Sequence, residues 1–290
     1  QNMKVPRSCI LPLSILKLSP CSPMYHGSPV FQSNTHVVND LTKYDKLKQE
    51  ISKRTEFVHS QLVPEFGLHL ITPEMKIWHQ PLNSIPEKDS YLFSKGGDPY
   101  WAIFWPGGQV LCRYILDFPA CVKDKIVVDI GSGSGALSIA CILAGCKNVM
   151  SNDIDEQSLG AILLNAEANQ IVDKEQLKVS QRNYLEGSMS ENAEELAAMS
   201  DILLIGDMYF DEVIADRISE LVKKYISYTC DTNPKGSKIA LIGDPGRWYL
   251  QEKRKKNAGQ LRCIAKYELS NEIKSQNYGL THGFVYQAIR

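Results

Sequence analysis

One stretch decides the fold of this 290-residue chain: Ile126-Val-Val-Asp-Ile-Gly-Ser-Gly-Ser-Gly135. Its β-branched run predicts a buried parallel strand. The glycines that follow, Gly131, Gly133 and Gly135, allow a backbone to approach a ligand where side chains would clash. A helix is predicted to start near Ser134 and continue through an apolar segment. Together these features predict a strand, a glycine loop and a helix that bind a nucleotide-type group.

A second strand, Asn148–Asp153, ends in an acidic residue. In a right-handed βαβ unit, Asp153 lies beside the glycine loop, where its carboxylate accepts hydrogen bonds from both hydroxyls of a ribose. The sequence therefore predicts a cofactor that contains adenosine. The spacing of the loop fits both a GxGxG pattern and the relaxed dinucleotide pattern GxGxxA, so spacing alone does not identify that cofactor.

Asp129 distinguishes between the two cofactor classes because it lies two residues before Gly131. A carboxylate at this position repels a pyrophosphate, whereas it orders the loop or meets the ammonium of a methionine moiety, directly or through water. These residues favour S-adenosylmethionine. The alternative, that Asp129 caps the loop without touching a ligand, stays open.

Composition limits the partners of this chain. Its net charge of −1 argues against a nucleic-acid partner, which requires a basic face. The apolar piece at residues 10–16 is short and interrupted by proline, so no membrane partner is expected. The eight cysteines form no CxxC pair, which favours free thiols over disulfides and predicts no structural metal. The sequence leaves the oligomeric state open.

The first 39 residues differ from the rest because they contain lysine, arginine and serine but no acidic residue; Asp40 is the first acid. This composition is typical of a mitochondrial transit peptide and predicts a targeting or disordered leader at 1–39. The alternatives are an untargeted disordered tail and translated upstream sequence. A mitochondrial matrix protein is expected.

Residues 40–97 are expected to form a small N-terminal cap. Apolar residues at spacings of three and four predict a helix from Asp40 to about His59. Leu68–Ile71 and Met75–Trp78 read as short extended pieces, and the sequence after them is rich in turn formers.

Residues 98–290 are expected to form the main domain, in which strands and helices alternate. Seven strands are predicted, at 126–130, 148–153, 177–180, 201–205, 237–243, 261–269 and 283–288. The last two are expected to form an antiparallel hairpin without an intervening helix. The predicted fold class is therefore α/β, a Rossmann-like, seven-stranded sheet of class I S-adenosylmethionine-dependent methyltransferase type with a small N-terminal helical cap.

The carboxyl ends of parallel strands bring candidate catalytic residues together. After the fourth strand, Gly206 lets the chain pass close to the cofactor, and Asp207, Tyr209 and Phe210 are expected to face the methyl group and the incoming nucleophile. One carboxylate and an aromatic wall suit a lysine. The Asn/Asp-Pro-Pro-aromatic motif of methylases that act on planar nitrogens is absent from this stretch. The alternatives are a helix-capping role for Asp207 and a core position for Tyr209.

Further contacts are predicted around these strand ends. Trp105 precedes Pro106-Gly-Gly108, whose flexible backbone is expected to close over the methionine end of the cofactor. Asn183 is a candidate partner for the adenine amino group, although a turn-forming role is equally consistent with its position. Arg247 is a candidate partner for a carboxylate on a protein substrate.

Taken together, six motifs resemble the electron transfer flavoprotein β-subunit lysine methyltransferase family, which lies within the seven-β-strand protein methyltransferases. The motifs are Asp98-Pro-Tyr-Trp-Ala102, Trp105-Pro-Gly-Gly108, Val128-Asp-Ile-Gly-Ser-Gly-Ser-Gly135, Asn152-Asp-Ile-Asp155, Ile205-Gly-Asp-Met208 and Ile242-Gly-Asp-Pro-Gly-Arg247. The resemblance covers about residues 60–290.

The resemblance implies methylation of lysines on the flavoprotein β subunit, a place in the mitochondrial matrix and modulation of electron transfer. It also implies that Trp105, the glycine loop, Asp153 and Gly206 contact the cofactor. Related enzymes share an acid-x-x-tyrosine motif, in which Asp207 matches the acid but Phe210 replaces the tyrosine.

Two other functions stay open at this point. One is methylation of a different protein, such as a ribosomal protein. The other is a binding or assembly factor that keeps the fold without catalysis. The target lysines, the number of methyl groups and the docking surface are not defined by the sequence.

Overall fold

A seven-stranded sheet organises the part of the chain that the structure, a computed structural model, describes. The described residues are 37–38, 40–80, 92, 98–171, 173, 175–228, 238–256, 260–276 and 279–289. They all belong to the unit His36–Arg290. The predicted leader therefore lies outside the described residues, as does most of the turn-rich segment from 81 to 97.

The elements alternate along the chain, as the sequence predicts. The strands are β1 Glu56–His59, β2 Gly67–Leu70, β3 Ile126–Ile130, β4 Asn148–Asn152, β5 Leu177–Ser180, β6 Ile202–Gly206, β7 Ile239–Asp244, β8 Leu261–Glu268 and β9 His282–Ala288. The helices are α1 Asp45–Ser52, α2 Pro106–Asp117, α3 Ala136–Leu143, α4 Glu156–Ala168, α5 Met189–Met199, α6 Glu212–Ser227, α7 Trp248–Lys256 and α8 Asn271–Gln276.

The order of the large sheet is β5-β4-β3-β6-β7-β9-β8. Neighbouring strands from β5 to β7 are parallel, whereas β9 pairs antiparallel with both β7 and β8. This arrangement confirms the predicted fold class. The prediction that no helix joins the last two strands is wrong, because α8 lies between them and buries Ile273.

Apolar side chains on both faces hold the helices against this sheet. On β6, Ile202 and Leu204 belong to one core with α2, α3 and α4, while Leu203 and Ile205 belong to another core with α5 and α6. This division follows from the two-residue period of a strand. It also explains why the central strands read as continuous apolar runs, since a parallel strand is covered on both faces.

The N-terminal cap differs from the sequence prediction in two places. The helix expected to reach His59 ends at Ser52, because the following residues pair as strand β1 with β2 in an antiparallel hairpin. The extended piece expected at Met75–Trp78 is instead a 3-10 helix, Lys76–His79. Both differences arise from partners that are distant in sequence and therefore leave no local pattern.

Two asparagines, Asn165 on α4 and Asn169 at its C-terminal end, hold the cap against the main sheet domain. Asn165 accepts a hydrogen bond from the backbone N–H of His69 at 2.7 Å, and Asn169 accepts one from Gly67 at 3.2 Å. The Asn169 amide also donates to the Gly67 carbonyl at 2.7 Å. These side chains satisfy the edge of β2 that does not pair with β1. No helix in the described ranges is both long and apolar enough to cross a bilayer.

Candidate active site

The glycine loop, Gly131–Gly135, connects β3 to α3 in the conformation that the sequence predicts. Gly131, Gly133 and Gly135 all have positive φ, at 69°, 55° and 83°. Side chains are disfavoured in this left-handed region. The backbone N–H groups of Gly131 and Ser132 donate to the Asn152 carbonyl at 2.8 and 3.0 Å. The loop is thereby fixed to the end of β4.

Asp153 lies directly beside this loop. Its Oδ2 accepts the backbone N–H of Gly133 at 2.9 Å, and its Oδ1 accepts that of Asp155 at 3.0 Å. Burial raises the pKa of the Asp153 carboxyl, although both backbone hydrogen bonds oppose this rise. Ser158 is a further hydrogen-bond partner of this carboxyl, and the residue as a whole is partly exposed, which leaves acceptor capacity on its two oxygens. The predicted proximity of Asp153 and the glycine loop is confirmed.

Asp129 is completely buried beneath the loop. Its Oδ2 accepts hydrogen bonds from the hydroxyls of Ser132 at 2.6 Å and Ser138 at 3.1 Å, whereas its Oδ1 has no partner among the described residues. Burial raises the pKa of the Asp129 carboxyl to about 7. Asp129 therefore caps the loop, and it also keeps one oxygen available to a donor that arrives with a ligand.

Asp207 occupies an unusual backbone position immediately after β6. Its φ is 59°, in the left-handed region that non-glycine residues seldom adopt. Its Oδ2 accepts the backbone N–H of Gly107 at 2.7 Å, and its Oδ1 is paired with the Nε of Arg247. The Asp207 side chain is 0% exposed. It joins two other segments of the site rather than standing open to solvent.

Asp207 does not cap the helix that follows it, because Asp211 caps α6, but its carboxylate does accept a backbone N–H in the first turn of α2. The Asp211 carboxylate accepts the backbone N–H groups of Val213 at 2.9 Å and Ile214 at 3.1 Å. Arg247 is likewise not free for a substrate carboxylate, since its guanidinium is paired with Asp207.

The two aromatic residues after Asp207 point to different environments. Tyr209 is 1% exposed, belongs to the core beside α6, and its hydroxyl is hydrogen-bonded to Ser219. The expectation that Tyr209 faces the site is therefore wrong in this structure, and the core alternative holds. Phe210 is 41% exposed, and its ring stacks on that of Tyr100 with centroids 5.9 Å apart.

Glycines bring the start of α2 against the ends of two strands. A Cβ on Gly107 would lie 2.5 Å from the Gly243 carbonyl, and a Cβ on Gly206 would lie 2.7 Å from Leu137. Pro106-Gly-Gly108 forms the first turn of α2 and is fixed there. The prediction that this segment is a flexible closure is therefore wrong. Gly206 permits close packing with α3, which is a different role from the predicted approach to the cofactor.

Trp105 belongs to a cluster of rings at the same edge of the sheet. Its Nε1 donates to the Tyr100 carbonyl at 2.9 Å, and the two rings have centroids 6.0 Å apart. The Arg247 guanidinium carbon lies 5.6 Å from the Trp105 ring centroid. Trp101, which follows Tyr100, is buried, and a Cβ placed on Gly133 would lie 3.6 Å from the Trp101 Cα. The segment from 100 to 105 therefore lies over the glycine loop.

Two other strand-end residues take structural partners. Asn183 accepts the backbone N–H of Leu185 at 3.0 Å, which is the turn-forming role. Asp244 accepts the backbone N–H groups of Gly246 and Arg247, both at 2.7 Å. Burial and the neighbouring charge of Asp207 raise the pKa of the Asp244 carboxyl.

Tyr100 and Asp98 are site residues that the sequence interpretation did not single out. The Tyr100 hydroxyl donates to the Asp98 carboxylate, and burial raises the pKa of that carboxyl. An aromatic run from Tyr100 to Trp105 is visible in the sequence. Which of its rings is buried and which is exposed depends on the 3-10 turn Tyr100–Ala102, which leaves no periodic signal.

The described residues fit an adenosine-containing methyl donor. A Cβ on Gly133 would meet only the backbone of Trp101, at 3.6 Å, and the partly exposed Asp153 lies beside this glycine. The unpartnered Oδ1 of Asp129 is a buried acceptor that a ligand ammonium can satisfy. Met208 packs against Gly131. A Cβ placed on Gly131 would lie 2.5 Å from the Met208 sulfur.

Comparison with known proteins gives consistent similarities. The family model described as ribosomal protein L11 methyltransferase (PrmA) matches residues 110–232. The "Electron transfer flavoprotein beta subunit lysine methyltransferase" of Danio rerio is 36% identical over 256 residues, covering 88% of each chain. The Mus musculus protein of the same name is 35% identical over 284 residues, covering 98% of this chain and 96% of its own.

Among solved structures, the N-methyltransferase NodS from Bradyrhizobium japonicum WM9 in complex with S-adenosyl-L-homocysteine is 12% identical to this chain. The similarity covers 67% of this chain and 93% of that chain, with a TM-score of 0.43.

Proposed function

Because this chain belongs to the electron transfer flavoprotein β-subunit lysine methyltransferase family, we propose that it methylates lysine side chains of that flavoprotein subunit with S-adenosylmethionine as methyl donor. The observation that carries the proposal is the extent of the match, which includes 88% of this chain and 88% of the Danio rerio protein. A similarity of this extent includes the glycine loop, the strand ends and the segment before α2.

S-adenosylmethionine supplies a methyl group on a positively charged sulfur when it is bound. We assign the ribose hydroxyls to the lone pairs of Asp153 that its two backbone hydrogen bonds leave available. Asp129 Oδ1 is the acceptor that we assign to the amino group of the methionine moiety. Trp105 supplies a ring beside these groups. The glycine loop is already fixed to β4, so its conformation does not have to be ordered on binding.

Methyl transfer to lysine requires a neutral amine at the correct distance and angle. Phe210 presents a partly exposed ring at this edge of the sheet, and we assign it to the substrate side of the site. Asp207 acts as a positioning residue, because its oxygens bind the start of α2 and Arg247 and its side chain is covered. Tyr209 stabilises the core beneath them.

Two parts of the proposal concern the cellular setting. The acid-free composition of residues 1–39 supports a mitochondrial matrix location. Methylation of the flavoprotein there would modulate the electron transfer that its β subunit supports. Fusion of residues 1–39 to a fluorescent protein tests the location, and a fluorescent signal that remains outside mitochondria contradicts it.

The activity is tested with purified electron transfer flavoprotein and S-adenosylmethionine labelled in its methyl group. Wild type is expected to place label on lysines of the β subunit, located by mass spectrometry, and Asp153→Ala is expected to place much less. Glu175→Ala is the matched control, because Glu175 is an exposed acid on the loop before β5. Absence of label with a wild-type enzyme that binds cofactor contradicts the assigned substrate.

A second candidate is methylation of a ribosomal protein, which the match of the PrmA family model to residues 110–232 favours. Ribosomal protein L11 is therefore included in the same assay. Label on L11 alone supports this second candidate. Calorimetry that detects no binding of S-adenosylmethionine supports a factor that keeps the fold without catalysis.

A further inference from the structure

Two exposed aromatic rings meet at the edge of the sheet where the candidate active site lies. Tyr100 is 50% exposed and Phe210 is 41% exposed, and their rings stack at 5.9 Å with an interplanar angle of 24°. Tyr100 is next to Trp101, which packs over Gly133 of the glycine loop, and Phe210 follows β6. The pair therefore connects the glycine loop to the end of β6. The methyl donor is assigned to the space between these two segments.

Tyr100 is held in this position by contacts on several sides. Its carbonyl accepts the Trp105 indole N–H at 2.9 Å, and its hydroxyl donates to Asp98. The neighbouring Trp101 and Ala102 are buried, so the 3-10 turn is fixed from within and directs Tyr100 outwards. An exposed ring that is fixed in this way loses little conformational freedom when a ligand contacts it.

The chemistry of this edge suits a cation on an apolar stem. The Arg247 guanidinium already lies over the neighbouring Trp105 ring at 5.6 Å, so one cation is held by an aromatic face here. Oδ1 of Asp98 is buried and has no hydrogen-bond partner among the described residues, and the Asp98 carboxyl places an acidic group at the hydroxyl end of the Tyr100 ring. The stacked pair is half exposed, so the parts of the two rings that do not face each other remain accessible to a second cation.

We propose that Tyr100 and Phe210 form the receiving surface for the side chain of the substrate lysine, with Asp98 positioning Tyr100. This inference rests on the proposed lysine methylation and names the residues that recognise the lysine. The two rings contact the aliphatic stem, while the ring face of Tyr100 and the charge of Asp98 favour an ammonium over a neutral side chain of the same length.

Binding of small amides tests the receiving surface without a protein substrate. Nα-acetyl-lysine-N-methylamide and the corresponding amide of 2-aminoheptanoic acid, in which a methyl group replaces the ammonium, are titrated into the enzyme saturated with S-adenosylhomocysteine, and binding is followed by NMR. The lysine amide is expected to bind more tightly, and Tyr100→Ala to weaken it about tenfold. Phe118→Ala is the matched control, because Phe118 is 54% exposed and follows the C-terminal end of α2, whereas the site lies at the N-terminal end of that helix. Equal binding of both amides overturns the proposal.

Kinetics with the protein substrate provide a second test. Tyr100→Ala is expected to raise KM several-fold with little change in kcat, and Tyr100→Phe to have a smaller effect because the ring is kept. Equal effects of the two variants overturn the role of the ring. A loss of S-adenosylhomocysteine affinity in Tyr100→Ala also overturns the proposal, since it places Tyr100 in the cofactor pocket.

The two proposals fail in distinguishable ways. Selective binding of the lysine amide at Tyr100, without methylation of the flavoprotein, upholds the receiving surface and rejects the assigned substrate. Methylation of the flavoprotein that is unchanged by Tyr100→Ala upholds the substrate and rejects the receiving surface.

Discussion

At the scale of single residues, three buried aspartates at strand ends differ in how their charge is compensated. Asp207 is paired with Arg247 and a backbone N–H. Asp129 is bonded to two serine hydroxyls, and Asp244 to two backbone N–H groups. A carboxylate with a cationic partner tolerates burial as an anion, whereas burial without such a partner favours the protonated form. Burial raises the pKa of the Asp129 carboxyl, and at Asp244 burial and the neighbouring charge of Asp207 both raise the pKa.

Asp207→Ala is expected to lower the free energy of unfolding by about 3 kcal/mol, because it leaves Arg247 unpaired and places alanine at a left-handed φ. Asp207→Asn is expected to cost about half as much, since asparagine tolerates this φ and keeps an acceptor for Gly107. Urea denaturation of both variants measures the difference. Equal losses would show that neither the backbone strain nor the hydrogen bond to Gly107 contributes.

Asp153→Ala is expected to weaken S-adenosylmethionine binding by about 1 to 3 kcal/mol in calorimetry, because the ribose loses its acceptors. Asp153 also holds the loop through Gly133, so a control for loop position is needed. Asn165→Ala serves this purpose, since the Asn165 amide donates to the Ser134 carbonyl of the same loop at 2.8 Å. A loss of affinity as large in Asn165→Ala would assign the effect to loop position instead of ribose contact.

At the scale of elements, the contact between α2 and the strand ends depends on backbone meeting backbone. A Cβ on Gly107 would lie 2.5 Å from Gly243 O and 2.9 Å from the Asp207 Cα. Neither neighbour is the end of a flexible side chain, so the clash is relieved only if a strand or the helix moves. The separation of α2 from β6 and β7 is therefore set by these glycines.

Gly107→Ala is expected to lower the free energy of unfolding by about 3 kcal/mol through overpacking. Gly108→Ala, one residue further along α2, is expected to be neutral or to stabilise by up to about 1 kcal/mol, because its Cβ meets only the Phe104 ring at 3.6 Å. Thermal and urea denaturation compare the pair. Similar results for the two variants would contradict the close approach of α2 and β7.

Elements of the main sheet are predictable from sequence, whereas details of the cap and site are not. The central strands are predictable because they are continuous apolar runs. Their parallel order then places Asp153 beside Gly133. The apolar residues of β1 continue the helical spacing of the preceding segment, so the sequence predicts a helix there. Residues 56–59 form a strand because they pair with β2. The positive φ of Asp207 and the burial of Tyr209 both lie in an irregular turn after β6, which has no periodic pattern in the sequence.

At the scale of the whole molecule, buried carboxyls make stability depend on pH. The pKa of Asp129 is about 7 in the folded protein, against 3.8 for an ordinary aspartate. Between these values the folded state binds a proton that the unfolded state releases, so stability falls as pH rises from about 4 to about 7. The contribution of Asp129 is at most about 4 kcal/mol.

Asp129→Asn is expected to flatten this dependence, because asparagine cannot ionise. Relative to wild type, Asp129→Asn should therefore be more stable at pH 8 than at pH 5. Urea denaturation at both pH values measures this difference in the free energy of unfolding. Glu175→Gln, a change at an exposed acid, is expected to leave the slope unaltered. If the free energy of unfolding of Asp129→Asn differs from that of wild type by the same amount at both pH values, Asp129 does not titrate between them.

A connection across the whole molecule runs through Asn165. Its Oδ1 accepts from His69 in the cap, and its Nδ2 donates to the Ser134 carbonyl in the glycine loop at 2.8 Å. One buried side chain therefore contacts both the N-terminal cap and the candidate cofactor site. The cap is consequently part of the support of the site, although its elements lie far from the loop in sequence.

The order of strands in the sheet has a consequence for synthesis. Strand β9 lies between β7 and β8 although it follows both in the chain. On the ribosome, the parallel strands up to β7 can pair as they emerge, but β8 must wait for β9, its neighbour in the described sheet. Until then the free edge of β7 is open to pairing with another chain. A nascent chain is therefore exposed to aggregation until residues 282–288 have emerged and paired with β7.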